Sequence, residues 1–295
     1  MNDMNKKLYL ISIILIVGIM ITACNTRKDI ILQDRTIDFD NFPDDIFRTY
    51  IAENFDKDKN GILSVQEIES VTEITVGDLG IKKLDGIEFF VNLYKLDCGA
   101  NKLNTLDVSY NQKLSELICG YNKLKELDLS YNTQLRMLDN TGNDLTDIDL
   151  SANVMLESLG CGVNLLKSID VSNNPLLTRL DVMDNKIGEI DVTNNKALEK
   201  LYVSLNRLKE IDISQNTMLE ELLCNDNKLA RIDTGNNPNL KRLICDYNKI
   251  TELDLSKNTK LNTLKCKHNP LDRLCITDCP ITQMDVSPND GIIEK

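Results

Sequence analysis

"LSELICGYNKLKELDLSYNTQ", Leu114 to Gln134, decides the fold because the chain keeps repeating it. Leu recurs at 93, 114, 135, 156, 177, 198, 219, 240 and 261, always 21 residues apart. A second Leu follows three places after each of these and an Asn eight places after each, from Asn101 to Asn269, with no departure in either column. The unit reads L-x-x-L-x-C-x-x-N-x-L-x-x-L-D-L-S-x-N-x-x. Around its second Leu and its Cys, apolar and polar places alternate with period two, which predicts one short strand per unit with Leu and Cys inward. The "L-x-x-L-D-L-S-x-N" half predicts a second short extended stretch and a turn, too rich in Ser, Asp and Asn for a helix. One unit cannot bury its apolar face alone. Neighbours must stack, giving a one-dimensional solenoid with parallel strands about 4.8 Å apart.

These nine copies resemble the leucine-rich repeat, in an "LDLS" form common in exported bacterial proteins. The resemblance implies an α/β leucine-rich-repeat solenoid, a right-handed superhelix of parallel strands with little helix in the repeats. It also implies a binding role for the concave strand face. On this reading the chain divides into a leader (1–23), a linker (24–40), a small cap (41–70), a degenerate first repeat (71–92), nine repeats (93–280) and a partial repeat closing the carboxy-terminal end (281–295).

Several columns carry chemistry-bearing residues. The Asn ladder is expected to satisfy buried backbone groups at a turn, since an unsatisfied one costs about 1–3 kcal/mol. Asp recurs at 107, 128, 149, 170, 191, 212, 233 and 254, and is read as a turn residue accepting following N–H groups, with a metal or basic-ligand strip as the alternative. Six cysteines (Cys98, Cys119, Cys161, Cys224, Cys245, Cys266) share one place with Val182 and Val203 and read as small buried hydrophobes, because an in-line ladder cannot surround an ion tetrahedrally. Asn140 occupies that same place and fits no reading. Cys275 and Cys279 replace the recurring Asp and Asn of the last unit, and a disulfide between them is expected to pin the terminal turn.

"DKDKNGILSVQE", residues 56 to 67, has the spacing of a calcium loop. Asp56, Asp58 and Asn60 stand at its first, third and fifth places, Gly61 at the sixth for the sharp turn, Ile62 at the seventh with its carbonyl, Ser64 at the ninth and Glu67 at the twelfth. An entering helix is signalled by Pro43 and by Ile46, Phe47, Tyr50, Ile51 and Phe55 at helical spacing. No second loop follows, so the lid-requiring end of the solenoid is expected to act as the loop's structural partner. The arrangement resembles the EF-hand-like caps of internalin-type proteins, with the loop intact, and implies a bound Ca2+.

At the amino-terminal end Lys6 and Lys7 precede sixteen apolar-rich residues, Leu8 to Ala23, ending in "ITAC". This resembles a bacterial lipobox. It implies export, cleavage before Cys24 and acylation of Cys24, leaving the protein on the cell membrane or outer membrane and exposed at the cell surface. The chain has 295 residues, a net charge of -12, no Trp and one His, His268. The acidic balance speaks against nucleic acid as a partner, and the single His leaves few routes to general-base catalysis. No catalytic constellation is legible, and the expectation is a monomeric binding protein rather than an enzyme, with a protein or glycan ligand. A structural spacer or a carboxylate-based envelope hydrolase are the alternatives. Tyr202, Leu205, Leu223, Ile244 and Tyr247 fall at outward places of three neighbouring strands, with Glu221 and Arg242 at the rim, and are the candidate ligand-binding residues.

Overall fold

A computed structural model describes residues 30–287 and the backbone of 292–294. The expected leader and Cys24 lie outside the described residues. The amino-terminal cap comprises β1 (Arg35–Thr36), α1 (Asp45–Asn54), β2 (Ile62–Leu63) and α2 (Val65–Ser70). Asp44 caps α1 by accepting the N–H groups of Ile46 and Phe47. Its other oxygen accepts the N–H of Lys82, which ties the helix start to the first turn of the solenoid. Ser64 and Glu67 form a reciprocal capping box at the start of α2, which satisfies two of the helix's otherwise orphaned donors.

β1 pairs antiparallel with β2, Arg35 opposite Leu63 and Thr36 opposite Ile62. The expected linker is therefore shorter than 24–40. Its last residues belong to the cap, because β2 would otherwise have an unpaired edge and these residues fill it. Inward from the cap, Phe42 meets Phe89 at 5.7 Å between ring centroids and Phe55 meets Phe90 at 5.8 Å. Phe47, Ile51, Leu63 and Ile68 join the same continuous apolar core as the repeats.

Beyond the cap, an 11-stranded parallel sheet runs from β3 (Glu73–Thr75) through one strand per repeat, β4 (Lys95–Asp97) to β11 (Arg242–Ile244), and ends in β13 (Thr263–Lys265) and β15 (Gln283–Asp285). Equivalent leucines are register partners, as in Leu96 with Leu117 and Leu222 with Leu243. In most strands the central Leu is buried and its two neighbours half-exposed, as the period of two requires. The ladder cysteines, Val182 and Val203 are all at most 1% exposed.

The second half of the unit differs from expectation. It is turn and irregular chain in most repeats, and forms strand only late, in β12 (Glu252–Asp254), β14 (Arg273–Cys275) and β16 (Ile292–Glu294), which make a separate three-stranded parallel sheet. Elsewhere its backbone groups are taken by an asparagine column. Asn111, Asn132, Asn153, Asn174, Asn195, Asn216, Asn237 and Asn258 are fully buried. Each donates from Nδ2 to two carbonyls of the preceding turns, as Asn174 does to Leu150 and Asn153 at 3.2 and 2.9 Å. No helix among the described residues is long and apolar enough to cross a membrane.

Candidate functional site

The calcium-like loop is built between α1 and α2. Asp56, buried at the end of α1, accepts the N–H groups of Asn60 and Gly61 at 3.2 and 2.9 Å. Asp58 accepts that of Asn60, and Asn60 Oδ1 accepts that of Ile62. Lys59 and Gly61 take left-handed conformations, φ 57° and 78°; the glycine makes the second of these turns without a Cβ penalty. These bonds curl the chain so that carboxylate oxygens of Asp56, Asp58 and Glu67 lie within 4.8 Å of one another. Burial opposes ionisation of Glu67, but the N–H groups of Ser64 and Lys57 and the Ser64 hydroxyl outweigh it and hold its carboxyl below the ordinary glutamate value. Three carboxylates, with the Asn60 amide and the Ser64 hydroxyl hydrogen-bonded to two of them, form a donor set of hard oxygens, which suits a cation such as Ca2+ rather than a soft metal.

On the strand face, Tyr202, Leu223 and Ile244 are register partners in one row. Tyr202 donates to Glu221 at 3.0 Å, and the Arg179 guanidinium lies 4.6 Å from its ring centroid. Burial, and then the bond to Glu221, raise its phenol pKa. Leu223 is half-buried. Ile244 is only 9% exposed, so the expectation that it offers ligand-facing surface is corrected. It sits in the row between Leu223 and Lys265, buried on the strand face but outside the continuous apolar core. Arg242 and Glu252 remain exposed at other places of the unit, while Glu221 is committed to Tyr202 and Lys200.

Leu205 and Tyr247 belong to a different row, at the turn that leaves the strand. Every residue of that column, from Ala100 to His268, has a left-handed backbone; Leu205 has φ 56° and Tyr247 φ 55°. Exposed apolar residues occupy alternate turns of it, Tyr121, Val163, Leu205 and Tyr247, each between 45% and 64% exposed. Tyr247 also stacks on His268, ring centroids 4.1 Å apart. Sequence reasoning named Leu205 and Tyr247 but missed Tyr121, Val163 and the alternation that joins them, although its signal was there as a 42-residue period laid over the 21-residue one.

The remaining columns resolve into structure. Each Asp of the recurring row accepts the N–H two residues on, as Asp149 does from Ser151 at 2.9 Å. The Ser151 hydroxyl and N–H together hold its carboxyl below the usual range. Burial pushes the Cys161 thiol up to about 12, and that of Cys119 well above its ordinary value; such thiols are poor nucleophiles and poor metal ligands. Cys275 and Cys279 are free thiols in place of the expected disulfide. Cys279 Sγ instead donates to the carbonyls of Leu255 and Asn258 at 3.2 and 3.7 Å. Those are the carbonyls that the next asparagine of the buried column would have taken, so the thiol terminates that column. Cys275 Sγ lies 3.4 Å from the Thr277 hydroxyl.

Comparison with known proteins places this architecture. The leucine-rich-repeat family profile matches residues 173–192. Internalin J of Listeria monocytogenes serotype 4b is 37% identical over 87 residues, 29% of this chain and 10% of that protein. The functional domain of InlJ from Listeria monocytogenes, which includes a cysteine ladder, superposes with a TM-score of 0.72 at 32% identity, over 86% of this chain and 62% of that one. The chain thus spans about a tenth of internalin J in the sequence match and under two thirds of the InlJ domain. The ectodomain of the plant receptor kinase GASSHO1/SCHENGEN3 from Arabidopsis thaliana, in complex with CASPARIAN STRIP INTEGRITY FACTOR 2, shares the fold at a TM-score of 0.63 and 17% identity, over 76% of this chain and 33% of that one. The chain has the leucine-rich-repeat solenoid fold, and it is similar to the InlJ domain, which likewise includes a cysteine ladder.

Proposed function

We propose that the protein is a tethered cell-surface binding protein that captures a protein ligand along the strand face and its adjoining turn edge, in the carboxy-terminal half. The observation that carries this reading is the edge itself. A bulky side chain in a left-handed backbone costs on the order of 1–2 kcal/mol, and leaving it about half exposed recovers only part of that in burial. Leu205 and Tyr247 do both, beside the half-exposed row of Tyr202 and Leu223. Apolar residues held out in strained conformations next to charged neighbours suit contact with another macromolecule. Screening the secreted and surface macromolecules of the habitat with the fragment from Asn25 onward would identify the ligand. The variant Tyr202→Ser, Leu223→Ser, Tyr247→Ser is then expected to weaken capture at least tenfold, about 1.4 kcal/mol, with little change in melting temperature. Undiminished capture would move the site elsewhere. A glycan as the captured species would correct the ligand class.

Anchoring and calcium complete the proposal. Acylation of Cys24 would hold the solenoid at the membrane; Cys24→Ser is expected to abolish lipid labelling and release the protein, and normal retention would overturn that part. In the cap, Asp56, Asp58, Asn60, the Ile62 carbonyl, Ser64 (through water) and Glu67 would ligate Ca2+, exchanging hydrogen bonds within the loop for bonds to the cation. An exposed module of this kind binds at about 10⁻⁴ to 10⁻³ M, so calcium at about 100 times its dissociation constant should stabilise the cap by about 2.7 kcal/mol. Glu67→Ala should remove the calcium-dependent rise in melting temperature. An unchanged rise would place the ion elsewhere.

A further inference from the structure

Beside the turn edge that carries Leu205 and Tyr247 runs a second row. Two places further along each turn, past the asparagine of the ninth place, Lys186, Arg207, Lys228 and Lys249 occupy four consecutive turns, all exposed. The backbone holds them in line. The N–H of Arg207 donates to the carbonyl of Ile187, that of Lys228 to Leu208 and that of Lys249 to Leu229, at 2.8–2.9 Å, so their backbone positions follow one another at about 4.8 Å. Among the described residues none of these four has a carboxylate within ion-pair distance, whereas cations of neighbouring rows do: Arg179 pairs with Asp181, Lys200 with Glu221 and Lys241 with Glu220. Like charges at this spacing repel. A chain with a net charge of -12 thus carries a ladder of four cations that its own acids leave unpaired.

The adjoining row is apolar and exposed on alternate turns, at Val163, Leu205 and Tyr247. Asp184 and Asp226 stand on the turns between, the latter accepting from the Asn225 amide at 2.7 Å. Two residues of chain separate the rows, at most about 7 Å, so the strip is two lanes wide. Its four turns from Val163 to Tyr247 span about 19 Å, which about six residues of extended chain cover. Such a narrow strip suits a single chain rather than a planar membrane surface. A polar polyanion would answer the cations and leave Leu205 and Tyr247 facing water. A basic segment would be repelled by the cation lane, and acids placed in the other lane would meet Asp184 and Asp226. Carboxylates toward the cations and apolar side chains toward Leu205 and Tyr247 answer both lanes at once.

We propose that this strip docks an extended segment of the protein ligand that is both acidic and apolar, its carboxylates on Lys186, Arg207, Lys228 and Lys249 and its apolar side chains on Leu205 and Tyr247. The inference rests on the reading of the molecule as one that captures a protein, and it names the chemistry of the segment captured.

The test pans a random peptide display library on the full chain. Retained peptides should be enriched in Asp and Glu together with Leu, Phe or Tyr. Their retention should fall at least tenfold on the variant Lys186→Glu, Arg207→Glu, Lys228→Glu, Lys249→Glu at equal melting temperature, and stay within about twofold on Lys186→Arg, Lys228→Arg, Lys249→Arg, which keeps the charge. If charge reversal lowers the melting temperature, the neutral variant Lys186→Gln, Arg207→Gln, Lys228→Gln, Lys249→Gln takes its place in the comparison. No retained peptide, no acidic enrichment, or equal retention by the reversed variant would overturn the proposal. Retention that survives charge reversal but is lost in Tyr202→Ser, Leu223→Ser would overturn it while leaving protein capture by the strand face standing. Polyphosphate or phosphatidylglycerol vesicles bound by the unaltered protein but not by the reversed variant, with no peptide retained, would overturn it in favour of a polar polyanion or a membrane.

Discussion

Asn185→Ala should destabilise the solenoid by about 3 kcal/mol, read as a shift of the urea midpoint and as faster hydrogen exchange at Leu166. Asn185 is 8% exposed and stands at the ninth place of its repeat. Its Nδ2 donates to the carbonyls of Cys161, Val182 and Met183, and its Oδ1 accepts the N–H of Leu166 at 2.9 Å. The four bonds are not equal. Each carbonyl keeps another donor after the substitution: Asn164 for Cys161, Asn206 for Val182, and the Val163 N–H for Met183. The Leu166 N–H keeps none among its described bonds, and a buried donor left unsatisfied costs about 1–3 kcal/mol. The lost amide volume adds a cavity term. Asn185→Asp separates the two functions. It retains an acceptor for Leu166 but turns a second oxygen toward three carbonyl oxygens, so its loss should equal or exceed that of alanine. A loss well under 1 kcal/mol for both would mean that the ladder is decorative.

Which parts of this molecule were legible in advance follows from where the constraint resides. The inward places of the strand were, because the pleat sends alternate side chains to opposite faces and an unbroken leucine column leaves only one register. The Asp row was also legible as a turn, since its bond to the residue two places on is local. The oxygen cluster of Asp56, Asp58 and Glu67 was legible because a loop of fixed length brings its own carboxylates together. Contacts between distant stretches were not. Nothing in the periodicity of Arg35 and Thr36 announces that they complete the sheet edge at Ile62 and Leu63. Exposure within an outward row escaped too: Tyr202, Leu223 and Ile244 occupy equivalent places, yet Ile244 is buried, because neighbouring side chains rather than backbone direction decide it. The backbone sign at Leu205 and Tyr247 was hidden for a different reason. A left-handed residue is usually Gly, Asn or Asp, and apolar residues there contradict the local preference that sequence reasoning relies on. The terminal cysteines failed on chemistry, since replacing Asn by Cys in a column of donors preserves a donor, a simpler outcome than the formation of a bond between the two sulfurs.

Asn140 is where the chain departs from its own rule, and restoring the rule should stabilise it. Asn140 stands in the cysteine column between Cys119 and Cys161, fully buried. Its backbone behaves like that of its neighbours, donating to Gly160 and accepting from Asn143 and Asn164. Its side chain does not. Neither Oδ1 nor Nδ2 has a hydrogen bond of normal geometry, whereas seven of the eight fully buried asparagines of the other column leave only Oδ1 without one, and Asn258 leaves neither. The Cys161 thiol beside it is at best a weak partner. A buried amide without compensation costs about 1–3 kcal/mol, and a thiol at this place packs as a small hydrophobe. Asn140→Cys should therefore raise stability by about 2 kcal/mol, measured by denaturant unfolding under reducing conditions, with the strand register unchanged. Asn140→Val, which places at this site the residue found at 182 and 203, should gain a similar amount and separates removal of the amide from any property of sulfur. Loss of stability in both variants would show that the amide is satisfied after all, by a buried water bridging it to a neighbouring carbonyl, and that this turn of the ladder is built around that water.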